Sequence, residues 1–289
     1  MRKFKIIFCI AFAGALASAC TQLILRTVAP SFIRDITASF LEECDPDLAR
    51  NAIPSNLKLM EGLLKKDPQN REILVSLATG FAGYSLLFVE TEDPVRASHL
   101  YLRSMAYGFE ALGDKGRVLA DPAISREDLQ ATLKTLSEAD FRALLWTTLS
   151  WNAWISLNLD QPSALSQMAA AEACLARLLE INPFYLHGLP QILTGALLAA
   201  RPPMLGGNIS KAEEHFERAL NENGGKFFLT QVYFARYYAV RVQDRHLFER
   251  LLQDVLSNEP ADLKDVCLIN RMMQQRAAYL MQHLEDFFI

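Results

Sequence analysis

Cysteine is scarce in this chain, with five residues in 289. Two of them, Cys9 and Cys20, fall in the first twenty positions, which leaves Cys44, Cys174 and Cys267. An odd number spread so widely is not a disulfide framework. Cys174 and Cys267 sit in apolar helical runs, the usual setting of a buried, unpaired thiol. An oxidising compartment would permit one bridge, but the spacing does not say which two residues would form it. Histidine is as sparse: His99, His187, His215, His246 and His283 are the five. None has a second histidine at ligand spacing, so no metal site is expected. Gly-x-Ser-x-Gly, His-Glu-x-x-His, a Walker loop and the dinucleotide glycine fingerprint are all absent. The chain is therefore not expected to be an enzyme, and neither catalytic residues nor a cofactor are assigned. Alternating β-branched runs that would make strands are missing too. Beyond the N-terminus, no apolar stretch is read as long enough to span a membrane. The nearest, Ile192 to Ala200, is stopped by Arg201-Pro202-Pro203.

What is present begins at the N-terminus. Arg2, Lys3 and Lys5 form a basic head, Ile6 to Leu16 an apolar run, and Ala17-Ser18-Ala19 a small-residue step before Cys20. This pattern predicts a secretory signal over residues 1–19. A cysteine directly after the small residues predicts a lipoprotein signal, with Cys20 as the lipidation site. The mature chain is then exported and held by acyl chains, not by a helix. A periplasmic location follows. Thr21 after the cysteine favours the inner leaflet of the outer membrane. Export excludes cytoplasmic roles such as ATP-driven chemistry and DNA binding. The formal charge of −4 becomes −7 once Arg2, Lys3 and Lys5 leave with the signal. Such a surface does not attract nucleic acid.

The rest of the chain reads as helix almost throughout. Leu57, Met60, Leu63 and Leu64 share a face, as do Leu175, Leu178 and Leu179, and Phe248, Leu251, Leu252 and Val255. Several helices end in an acid or Asn before proline: Asp67-Pro68, Asn182-Pro183 and Glu259-Pro260. Reading back from such ends gives Ala212, Phe216 and Ala219, spaced A-x3-F-x2-A. Ala171, Leu175 and Leu178 repeat that spacing, and Ala97, Tyr101 and Ser104 do so loosely. This is the second-helix signature of tetratricopeptide repeats, in which a small residue admits a neighbouring helix and a large one fills the groove. The fold class predicted is all-α, a degenerate tetratricopeptide solenoid of stacked antiparallel helix pairs. Residues 20–45 are assigned to a lipid tether and first helix, and 46–289 to a single helical domain. Within it, 113–140 is an insertion of short helices, whose starts are marked by Ser125-x-x-Asp128 and Ser137-x-x-Asp140. Leu263 to Phe288 reads as a long capping helix.

Two places have the character of a ligand cleft. The Arg201–Leu220 stretch carries Pro202 and Pro203, then Met204 and Leu205, then Gly206 and Gly207, with Asn208 as N-cap of the next helix. The stretch from Lys226 to Val242 holds Phe227, Phe228, Tyr233, Phe234, Tyr237 and Tyr238 on more than one helical face. Pro203, Met204, Leu205, Phe234 and Tyr237 are taken as candidate cleft residues. An elaborate inter-helix turn and an inter-repeat core are the alternatives at the two places.

The residues together resemble the T-component family of TRAP transporters. The resemblance runs from about Ala52 to Phe287. It rests on Leu205-Gly206-Gly207-Asn208 with Lys211-Ala212 and His215-Phe216-Glu217-Arg218-Ala219. Arg96-Ala97 with Leu100-Tyr101-Leu102-Arg103 adds to it, as does Tyr233 to Arg241 followed by Asp244-Arg245 and Phe248. Asn208 stands where the family often has Asp, and Ser104 where it often has Gly; residues 113–140 match poorly. The resemblance implies a non-enzymatic accessory protein that associates with the substrate-binding protein of a TRAP transporter. It also implies a homo-oligomer, with trimers proposed, whose protomers carry a pore or cleft for hydrophobic or organic-acid ligands. The second reading is a lipoprotein scaffold for envelope assembly that takes no small molecule.

Overall fold

The computed structural model describes residues 31–288. The predicted leader and Cys20 lie outside the described residues. The described chain is 81% helical without a strand, and its helices pack in pairs, so the fold is all-α.

Capping residues in the sequence set most helix starts. Helix α1 spans residues 31–42. Asp45 opens α2 (Pro46–Leu64) by accepting from the N–H groups of Asp47 and Leu48. Asn70 caps α3 (Arg71–Tyr84), which runs without a break into a π-helical segment, Ser85–Val89. Asp93 caps α4 (Pro94–Ala111). The short helices α5 (Asp114–Leu119) and α6 (Arg126–Thr135) follow, with Ser125 capping the second. Ser137 and Asp140 form a capping box ahead of α7 (Phe141–Leu157). Such caps satisfy N–H groups that a helix cannot satisfy itself.

The second half holds α8 (Pro162–Leu165), α9 (Met168–Ile181), α10 (Tyr185–Ala200) and α11 (Ile209–Asn223). Asn208 caps α11, its side chain accepting from the Lys211 N–H at 3.0 Å. Next come α12 (Phe228–Tyr233), a second π-helical segment (Phe234–Ala239) and a last turn, α13 (Val240–Val242). Asp244 caps α14 (Arg245–Ser257), and α15 (Cys267–Gln282) ends the fold. The expected capping helix over 263–288 is thus shorter at both ends, where 3-10 turns replace α-helix.

The most extensive packing joins α4 to α7, α10 to α11 and α3 to α4. Helices α4 and α7 approach so closely that a Cβ on Gly108 would lie 1.9 Å from Thr147 Oγ1. A chain of buried hydroxyls locks the same layer: Ser150 donates to Ser104 at 2.7 Å, and Ser104 to the Ala78 carbonyl at 2.8 Å. In α11 the predicted triplet Ala212, Phe216 and Ala219 is fully buried. Phe216 stacks on Phe234, with ring centroids 4.9 Å apart. Leu63, expected on the buried face of α2, is exposed.

The structure departs from two expectations. Cys267 is buried but not a free thiol: it is bonded to Cys44 across 223 residues of sequence. The packing of α15 on α2 brings the two together, which no local spacing could reveal. Cys174 stays free and buried, and desolvation pushes its thiol up to about 12. The second correction concerns apolar length. Arg71–Val89 is the longer stretch, with 19 residues, and is long and apolar enough to cross a membrane by length and composition. It lies between α2, α4 and α7, mostly buried. A central helix of a large core is apolar all round for that reason.

Candidate functional site

The described residues contain a cavity of about 110 Å³ where the two π-helical segments face α7, α9 and α10. The first π segment contributes Leu86 and ends on Glu90, whose N–H donates to the Ser85 carbonyl at 2.8 Å. The second contributes Tyr237 and begins after Tyr233. One extra residue in a helical turn re-aims the side chains around it, and such turns recur at functional sites. Arg276 of α15 donates to the Leu86 carbonyl and so holds the first segment from outside.

The walls are mostly aliphatic, from Leu86, Leu149, Leu175, Leu193 and Leu197 with three alanines. Thr148, Asn152 and Ser156 form a polar stripe, four residues apart along one face of α7. Thr148 is fully buried, whereas Ser156 and Ala200 are exposed, so the opening lies at the C-terminal ends of α7 and α10. The hydroxyl of Thr148 and Oδ1 of Asn152 are buried without a partner. Buried polar atoms left in that state are rare in folded proteins and call for an explanation.

Glu90 and the two tyrosines complete the polar end. Glu90 accepts a short hydrogen bond from the Tyr101 hydroxyl. Burial raises the Glu90 pKa against the opposing pull of Tyr101 and Arg276. Burial also raises both tyrosines, with the Glu90 carboxylate adding to it. Both hydroxyls are therefore protonated at neutral pH and able to donate. The Tyr233 and Tyr237 rings meet edge-on at 5.2 Å.

Of the residues singled out from sequence, Tyr237 lines this cavity. Phe234 does not; it is held in the core between Phe216 and Tyr238. Pro203, Met204 and Leu205 form an exposed 3-10 turn, with Met204 89% exposed. That turn follows Ala200 at the opening but does not line it. Gly206 turns the chain at φ 86°, and a Cβ on Gly207 would meet the Arg201 carbonyl oxygen at 1.9 Å. The turn shapes the way into α11. Missed entirely were Glu90 and the Thr148, Asn152, Ser156 stripe. Their signal was available: an acid closing the apolar run Phe81 to Val89, and polar residues every fourth place on an aromatic helix.

The class the fold defines is an all-α protein of paired helices with an apolar pocket at its centre. Residues 42–288 match the family described as the TRAP transporter T-component. The chain belongs to that family and is thus a component associated with a transporter. It is also similar to an uncharacterised protein of Treponema pallidum (strain Nichols). The two are 27% identical over 279 residues, which cover 88% of this chain and 84% of that one.

Proposed function

We propose that this protein is a non-enzymatic accessory component of a TRAP transporter, working in the periplasm and tethered through lipid on Cys20. It holds a hydrophobic ligand in the cavity at the two π segments and associates with the transporter's substrate-binding protein. Self-association as a homo-oligomer, and a single domain over 46–289, belong to the same reading.

The observation that carries it is the cavity, an apolar pocket whose buried polar atoms lack protein partners. A scaffold needs no such pocket, since empty space in a core costs stability. The Cys44–Cys267 bond supports an oxidising compartment. The family supports the transporter.

The test is ligand extraction. The full chain, purified from its native envelope without detergent exchange, is opened in solvent and the released small molecules are identified by mass spectrometry. Ala153 lines the cavity, so Ala153→Phe fills it. A hydrophobic molecule stoichiometric with wild type and lost from a folded A153F protein is the expected result. No such molecule in either protein, with partner capture intact, would decide for the scaffold.

A further inference from the structure

The cavity's polar end has a definite donor and acceptor balance. No lysine, arginine or histidine lines it. Arg276 stands outside that lining; it donates to the Leu86 carbonyl, and its charge pulls the Glu90 pKa down against burial. A carboxylate ligand would meet Glu90, a carboxyl of its own sign, with no cation among the lining residues to pair with it. Burying a charge without a partner is strongly disfavoured.

The atoms without partners ask for the opposite. Oδ1 of Asn152 is an acceptor without a partner, while the amide nitrogen beside it already donates to the Thr148 carbonyl at 2.9 Å. Glu90 has one oxygen engaged by Tyr101 and also lines the cavity. The Thr148 hydroxyl is fully buried, faces the same space and both donates and accepts. An acceptor-only head would satisfy the hydroxyl groups and leave Asn152 Oδ1 bare.

From this we infer that the ligand is a short aliphatic molecule whose head is uncharged and donates a hydrogen bond, such as an alcohol, and that Glu90, Thr148 and Asn152 select it against carboxylates. This rests on the ligand-holding reading above and narrows it, excluding the anionic form of the organic acids expected from sequence. The size limit follows from volume: an engineered apolar cavity of about 150 Å³ takes benzene, so about 110 Å³ holds the head and roughly the first four carbons, and the rest of a six-carbon chain lies in the opening.

The experiment is calorimetric titration of the full chain at pH 7 with n-hexanol, hexyl methyl ether and hexanoate. The ether is the acceptor-only control. Hexanol is expected to bind about ten-fold tighter than either, the usual cost of leaving a site's hydrogen-bonding atoms unpaired. In Thr148→Val, which keeps the shape, hexanol should weaken several-fold, and the ether, which loses the same hydroxyl donor, should weaken with it. In Glu90→Gln, hexanoate should gain several-fold. Ether or hexanoate binding as tightly as hexanol would overturn the head-group assignment but leave the ligand-holding reading standing. Binding of none of the three would overturn both. An unchanged hexanol affinity in a folded T148V protein would remove Thr148 from the selection.

Discussion

Phe216 shows what one residue does in this fold. It is fully buried in α11, stacks on Phe234, and reaches α10, where a Cβ on Gly195 would touch its ring at 3.0 Å. The side chain therefore fixes the distance between three helices. Phe216→Ala should destabilise the protein by about 3–5 kcal/mol, through lost burial and the cavity left behind. Chemical denaturation of the variant measures this directly. A midpoint equal to wild type would mean that α11 is registered differently. Residue Phe216 was legible in the sequence because its partners Ala212 and Ala219 are local, at helical spacing. Phe234 was misread as a cleft residue for the complementary reason. Its aromatic neighbours on the same helix suggested surplus surface, whereas the ring that covers it comes from α11.

At the scale of elements, the charged contacts between helices predict a pH response. Glu61 of α2 accepts from Tyr107 of α4 at 2.7 Å and pairs with Arg103 of α4 and Lys58. Burial alone would raise its pKa, but these partners outweigh burial and hold it lowered. Asp140 behaves alike: burial is outweighed by Lys115 at 2.8 Å, the Ser137 N–H and Arg71 at 3.0 Å. For a carboxyl lowered in the folded state, stability is fully present above the unfolded pKa of about 4 and lost as pH falls through the folded one. Glu90 has the opposite sign. Its folded pKa is raised, so its contribution is present below the unfolded value and lost as pH rises through the folded one. Denaturation midpoints should therefore fall below about pH 4 in wild type and fall less in Glu61→Gln. Glu90→Gln should be at least as stable as wild type at pH 7. A marked loss there would contradict the raised Glu90 pKa. The Asp140 cluster also explains why 113–140 was legible only as an insertion. Its caps at Ser125 and Ser137 are local signals, but its attachment runs through Arg71, 69 residues away.

For the whole molecule, the helices and their starts were written locally in caps, breakers and apolar spacing. The cavity was not. Its walls come from α7, α9, α10 and α12 with both π segments, so it exists only once distant helices pack. The π turns themselves have no composition cue, being single extra residues in otherwise ordinary helices. The Cys44–Cys267 bond joins the two ends of the described chain in the same non-local way.

The proposed function requires this T-component to engage the transporter's substrate-binding protein while it holds a ligand. The most direct measurement is affinity capture of the full chain from native envelope extract, with quantitative mass spectrometry of co-captured proteins, for wild type and A153F. Wild type is expected to enrich a TRAP substrate-binding protein well above a control lipoprotein, and folded A153F to capture it without the ligand. Capture of no transporter component by folded, membrane-associated wild type would rule the proposed function out.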